Sequence, residues 1–193
     1  KYKSLVNHLY DIEPELNIEI RAKDGAQLED IINFQTKNLN KNIPTVISAG
    51  GNDLLNILDI IMDNKRRTFN ETFVSIKKHI LLFQKKYNSL LNKLEGNVLC
   101  LTIYNPAFKF YNDFGSLALY QDTCEITLKI FNDDIQKLVR QNFFQLLELR
   151  DLMTEKKDYA NSIEPSHYGG RKIAQAISSW LKFINLDERK YTK

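Results

Sequence analysis

The side chains best placed for chemistry cluster at Ser48-Ala49-Gly50-Gly51-Asn52-Asp53, where two glycines close an apolar run and an amide emerges just before a helical pattern. Paired glycines let the backbone turn sharply. An Asn at such a turn can donate a hydrogen bond to a developing oxyanion, which neither an apolar nor an acidic side chain can do. The same residues also make an Asx-type helix cap, so the motif alone leaves structure and chemistry open. Tyr104, Phe108, Phe110, Tyr111 and Phe114 crowd a second loop, where aromatic rings either line an apolar pocket or cap the core. His8 and His79 fall on helical stretches and read as packing or surface residues, and Lys65-Arg66-Arg67 as a solvated connection between helices.

Positioning such loops requires strands. Thr45 to Ala49 follows Pro44 and ends in glycine, a short β-branched run closed by a turn. Asn97 to Tyr104 is apolar on both faces and bounded by Gly96 and Pro106, as an interior parallel strand covered by helices should be. Asn17 to Ala22 alternates Ile18 and Ile20 with polar residues, and Phe143 to Leu149 completes a further β unit, which makes four expected strands. Between them run apolar stripes at three- and four-residue steps, clearest over Phe69 to Leu94, where Thr68 and Glu71 supply a capping-box signature. Further stripes predict helices over Leu117 to Val139, over a C-terminal segment from Ile173 to Ile184 opening after Gly169 and Gly170, and over Tyr2 to Tyr10, Gln27 to Phe34 and Asp53 to Met62. This alternation is that of an α/β chain with a parallel sheet and right-handed crossovers. Ligands of such sheets bind beyond the carboxyl ends of the strands, which singles out Lys23 to Ala26, Gly50 to Asp53, Asn105 to Ser116 and the segment after Leu149.

Composition narrows the function classes. With 193 residues, 43% hydrophobic and 26% charged, the chain is the size of one soluble domain. Lys and Arg total 27 against 24 Asp and Glu, so the net charge of +3 argues for no nucleic-acid partner. No window resembles a membrane span. Cys100 and Cys124 lie in apolar stretches, too few for a disulfide scaffold and without metal-ligand spacing, so reduced buried thiols and no metal or cofactor are expected; the compartment is left open, a cytoplasmic one favoured. No phosphate-binding Gly-x-x-x-x-Gly-Lys loop or dinucleotide fingerprint occurs.

Three separated blocks in this order resemble the GDSL-type, or SGNH, hydrolases, serine-dependent esterases and lipases on a flavodoxin-like three-layer α/β/α fold. Lys23-Asp24-Gly25-Ala26 is similar to the block whose Gly gives a backbone N–H to the oxyanion hole. Gly50-Gly51-Asn52-Asp53 resembles the Gly-x-Asn-Asp block whose Asn gives the side-chain donor. Tyr159 to Ala174, with Ile163-Glu164-Pro165-Ser166 and then Gly-Gly and Ile-Ala, resembles the last block of a bacterial branch; Thr102-Ile103-Tyr104, Phe131-Asn132-Asp133 and Leu149-Arg150-Asp151 look like the same branch. The resemblance spans roughly residues 5 to 185. It implies hydrolysis of a small-molecule ester through an acyl-enzyme, with Gly25 and Asn52 stabilising the oxyanion.

Two family features differ. The nucleophile belongs to a Gly-Asp-Ser motif after the first, central strand, and no Gly-Asp-Ser occurs here. A segment of some 15 to 25 residues carrying that strand is therefore expected upstream of Lys1 or from another chain, a length set by analogy with the fold. Ser48, nearest the catalytic edge, reads as a buried strand residue. The last block elsewhere reads Asp-x-x-His-Pro, whereas Asn161 and Glu164 hold those two positions. His167, three residues on, restores an acid-x-x-His spacing and supplies the side-chain type that most often serves as a general base. His167 and Glu164 are both candidates for proton transfer, and Asp158 is a weaker one. The alternative reading is a binding or scaffold protein that keeps the fold without the chemistry.

Overall fold

Apolar runs bounded by Gly or Pro fold as strands, and apolar stripes at helical spacing fold as helices, throughout residues 3–62, 68–111 and 121–191, the part of the chain described by this computed structural model. Tyr2, Lys65-Arg66-Arg67, Phe114 and the expected helix start from Leu117 to Tyr120 lie outside the described residues. The order is α1 (Leu5–Ile12), α2 (Leu28–Asp30, continued by a π-helical turn over Ile31–Gln35), β1 (Thr45–Ser48), α3 (Gly51–Met62), α4 (Phe69–Leu91), β2 (Val98–Leu101), α5 (Gln121–Gln141), β3 (Gln145–Leu147) and α6 (His167–Tyr191), with short 3-10 turns in the loops. Two compact units result. One comprises Arg21–Ile103 and Ile126–Leu146, the other Lys1–Ile20, Tyr104–Glu125 and Leu147–Lys193.

The first unit is built on the sheet, in the order β1-β2-β3. β1 and β2 run parallel, with Thr45 opposite Val98 and Ser48 opposite Leu101. All four β2 residues are buried, as its two-faced apolar pattern predicts. Against the strands pack Leu54 and Ile57 of α3, Phe83, Tyr87, Leu90 and Leu91 of α4, and Leu128, Phe131 and Ile135 of α5, with Phe83 and Phe131 meeting edge to face at 4.6 Å. The capping box at the start of α4 forms: the Glu71 N–H donates to the Thr68 hydroxyl at 3.3 Å, and the Thr68 N–H to the Glu71 carboxylate at 2.7 Å.

Asn132 is fully buried in this core. Its amide receives the Ile103 N–H at 2.8 Å and donates to the Ile103 carbonyl at 2.7 Å. A side chain thus supplies both bonds that a neighbouring strand would supply to Ile103, two residues past the end of β2.

Three expectations about strand residues need correction. Asn17 to Ala22 forms no strand; Ile20 is 60% exposed and the segment pairs with no strand among the described residues, so its alternation has neither a core face nor a ladder to join. β3 starts at Gln145 rather than Phe143, because Phe143 takes a left-handed φ of 59° and closes α5, the Phe144 N–H returning to the Val139 carbonyl at 3.1 Å. Ser48 is exposed rather than buried, since along β1 the neighbouring Ile47 takes the core side.

The second unit joins α1 to α6. Leu9 and His8 of α1 are buried in it, as are Ile173, Ala174, Ile177, Trp180 and Ile184 of α6. Glu13, just past α1, accepts from Ser178 at 2.6 Å and pairs with Lys182 at 2.6 Å. Gly169 and Gly170 lie inside the first turn of α6, not before it.

Candidate functional site

In the sheet-based unit, the turn Lys23 to Ala26 and the start of α3 meet. Gly25 holds φ at +72°, a conformation open to glycine at little cost, and an added Cβ there would meet nothing within 4 Å. Among the described residues its N–H has no hydrogen-bond partner. Gly50, at φ +102°, ends β1 so tightly that a Cβ would sit 2.8 Å from the Phe83 ring. That turn aims the first residues of α3 at the Gly25 turn. The Asn52 amide donates to the Ala26 carbonyl at 2.9 Å, one residue beyond Gly25. The Asp53 carboxylate accepts the Leu28 N–H at 2.9 Å and so caps α2. Burial raises the Asp53 pKa, with the Leu28 N–H and the Lys86 ammonium opposing it. The structure thus brings Gly25 and Asn52 together at the carboxyl end of β1. A hollow of ≈180 Å³ bordered by Lys41, Thr45, Lys93 and Glu95 lies at the other end of that strand.

In the other unit, the last block folds as a tight loop tied to α6. The Asn161 side-chain Oδ1 accepts the N–H groups of Ile163 at 2.9 Å and Glu164 at 2.8 Å, and its Nδ2 donates to the Glu164 carboxylate at 3.0 Å. Glu164 is exposed. Ser166 caps α6, its hydroxyl accepting the Tyr168 and Gly169 N–H groups at 3.0 and 3.3 Å. His167, the first residue of α6, is exposed on one side and lies against His8 on the other, ring centroids 4.6 Å apart.

His8 is 1% exposed and, among the described residues, its Nε2 has no hydrogen-bond partner. Burial pushes its pKa down, His167 adds to this, Asp11 opposes it, and Lys3 and Arg171 lower it further. Sequence reasoning set His8 aside. The signal was present: Leu5, His8, Leu9 and Ile12 recur at helical spacing, so His8 sits inside the apolar stripe of α1.

Asp158 is buried beneath the same loop, accepting from Thr154 and Glu155 N–H at 3.1 and 2.9 Å and pairing with Lys172 at 2.8 Å. Burial works against its ionisation, but Lys172 and the backbone donors outweigh that and hold its carboxyl below the usual range. This is an anchor for the loop. The aromatic cluster has a similar role: Tyr104 donates to the Ile163 carbonyl at 2.7 Å, Tyr111 to Tyr159 at 2.8 Å, and Tyr159 to Asn105 and Met153 at 2.8 and 2.9 Å. Phe108 is buried beside them and Phe110 exposed. These rings cap and staple. Among the described residues no group of three or more His, Cys, Asp or Glu is placed to hold a metal ion, and no helix is long and apolar enough to cross a membrane.

Comparison with known proteins sets this geometry beside solved structures. No protein-family model and no curated protein matches the chain. Its structure is similar to an extracellular lipase from Streptomyces rimosus (TM-score 0.67, 14% identity, covering 91% of this chain and 86% of that one) and to phospholipase A1 from Streptomyces albidoflavus NA297 (0.65, 13%, 91% and 85%). It is also similar to a member of the lipolytic protein G-D-S-L family from Veillonella parvula DSM 2008 (0.54, 14%, 89% and 84%). The fold is therefore the parallel α/β fold that the sequence resemblance implied.

Proposed function

We propose that the chain is a GDSL-type ester hydrolase working through an acyl-enzyme. In this reading a serine on a segment upstream of Lys1, or from another chain, attacks the ester carbonyl. The Gly25 N–H and the Asn52 amide stabilise the tetrahedral oxyanion, and His167 or Glu164 handles the proton. The observation that carries it is the bond from the Asn52 amide to the Ala26 carbonyl, one residue from Gly25, whose N–H has no hydrogen-bond partner among the described residues. An amide nitrogen carries two hydrogens, so one can hold the turn while the other faces a ligand. The lipase and phospholipase likeness in fold supports the same class.

The test is Asn52→Ala in protein that includes the upstream segment, assayed on a short-chain p-nitrophenyl ester. Loss of one oxyanion donor lowers kcat by about 10²- to 10³-fold with little change in KM. Unchanged turnover removes Asn52 from the reaction.

One observation favours a second reading, a binding protein on this fold. Asn161 and Glu164 occupy the positions of the family's acid and base and hydrogen-bond each other at 3.0 Å, as a loop-closing pair does. Absence of labelling by a fluorophosphonate probe in that longer protein would decide for it.

A further inference from the structure

We propose that the solvent face of α4 seats the protein on an anionic lipid surface, an inference independent of the hydrolase reading. Phe73, Val74, Leu81 and Leu82 are large apolar residues left exposed on this helix, Val74 at 63%, Leu81 at 54% and Leu82 at 49%. Lys77, Lys78 and Lys85 are exposed among them. The spacing Val74, Lys78, Leu81, Lys85 follows helical steps of four, three and four, so apolar and cationic side chains share one side of the helix.

Charge selects the partner. None of these three lysines has an ion-pair partner among the described residues, whereas the fourth lysine of α4, Lys86, pairs with Glu29 at 3.1 Å. The single acid of the helix, Glu71, is held at its capping box. The chain's net charge of +3 averages over its whole length, but along the stretch of α4 from Phe73 to Lys85 cations gather with no acid in the sequence between them. A protein partner's core contact would disfavour three lysines. A bilayer interface accepts both kinds of group at once: apolar side chains enter the acyl boundary while lysine stems bury and their ammonium groups reach phosphate.

The experiment is co-sedimentation of the 193-residue chain with phosphatidylcholine vesicles, with and without an equal part of phosphatidylglycerol. Each lysine near an anionic surface adds about fivefold, so binding to the anionic vesicles should be on the order of 10²-fold tighter. It should fade between about 0.1 and 1 M salt, as the Debye length shrinks from about 10 to about 3 Å. Reversing the charges together, K77E/K78E/K85E, should abolish the preference while far-ultraviolet circular dichroism and the urea midpoint stay unchanged. Leu81→Gln should weaken anionic binding roughly tenfold, the loss of one inserted apolar side chain. Equal binding to both vesicles, binding to neither, or a concentration-dependent dimer that the three reversals dissolve would each overturn the proposal.

Discussion

Replacing Asn132 by Leu should cost the protein a measurable share of its stability, and the size of the loss follows from two bonds. The side chain is fully buried, and Leu keeps its branched outline but is bulkier, so any overpacking adds to the loss of the amide. What disappears is the partner of both Ile103 backbone groups, at 2.8 and 2.7 Å. An unpaired buried backbone group costs about 1–3 kcal/mol. Ile103 is only partly buried, so the two together should cost about 2–4 kcal/mol, against a total of about 5–15 for a domain. With a urea dependence of about 2 kcal/mol per molar, the unfolding midpoint should fall by about 1–2 M at unchanged slope. Asn132→Asp keeps an acceptor for the Ile103 N–H but sets a carboxylate against the Ile103 carbonyl. Its deficit should therefore shrink on mild acidification, when the protonated group can donate again. A midpoint shift in the Leu variant below about 0.3 M would show that the end of β2 does not depend on this amide, and the strand-substitute argument would fail.

Two further outcomes follow from buried titratable groups. The His8 pKa is lower in the folded than in the unfolded chain, where it is about 6.5, so its contribution is complete above about pH 6.5 and is lost as pH falls through the lower folded value. The urea midpoint should therefore drop more between about pH 7.5 and 5.5 in the protein than in His8→Phe; parallel pH profiles would contradict the buried, neutral imidazole. Burial raises the Cys100 thiol to about 12, with the Tyr87 hydroxyl opposing it, and raises Cys124 to about 11, so neither should react with Ellman's reagent near pH 8 until urea unfolds the chain. Reaction of the native protein at the rate of a free thiol would place one of them at the surface.

Much of the sheet was legible because its signals are local. β1 and β2 were bounded by Pro44, Gly50 and Gly96, and α4 carried its own cap in Thr68 and Glu71. The pairing of the Gly25 turn with Asn52 was reachable only through order and family resemblance, since nothing local in Lys23 to Ala26 says which loop it meets. What escaped depends on distant partners. Asn17 to Ala22 has a strand's alternation but pairs with no strand among the described residues, and Phe143 occupies a left-handed position that a reader assigns to glycine. His8 and Asn132 each interrupt an apolar stripe, at α1 and α5; that interruption pointed to the burial of both, and the family resemblance touched Asn132 without saying what its side chain holds. Asp158 drew notice as a weaker proton-transfer candidate, but its anchoring role had no pointer, because only the folded loop shows that Lys172 returns to it from α6.

Consecutive residues of α3 grip opposite polarities of one short turn: Asn52 takes the carbonyl of Ala26, and Asp53 takes the N–H of Leu28. A swap that imports a foreign 23–28 segment alone should misregister both grips, so recombination experiments need to move 23–28 and 50–53 as one cassette. The same coupling means that a length change of a single residue in either stretch reads out in the other, which makes this pair of segments a sensitive place to look for compensating substitutions.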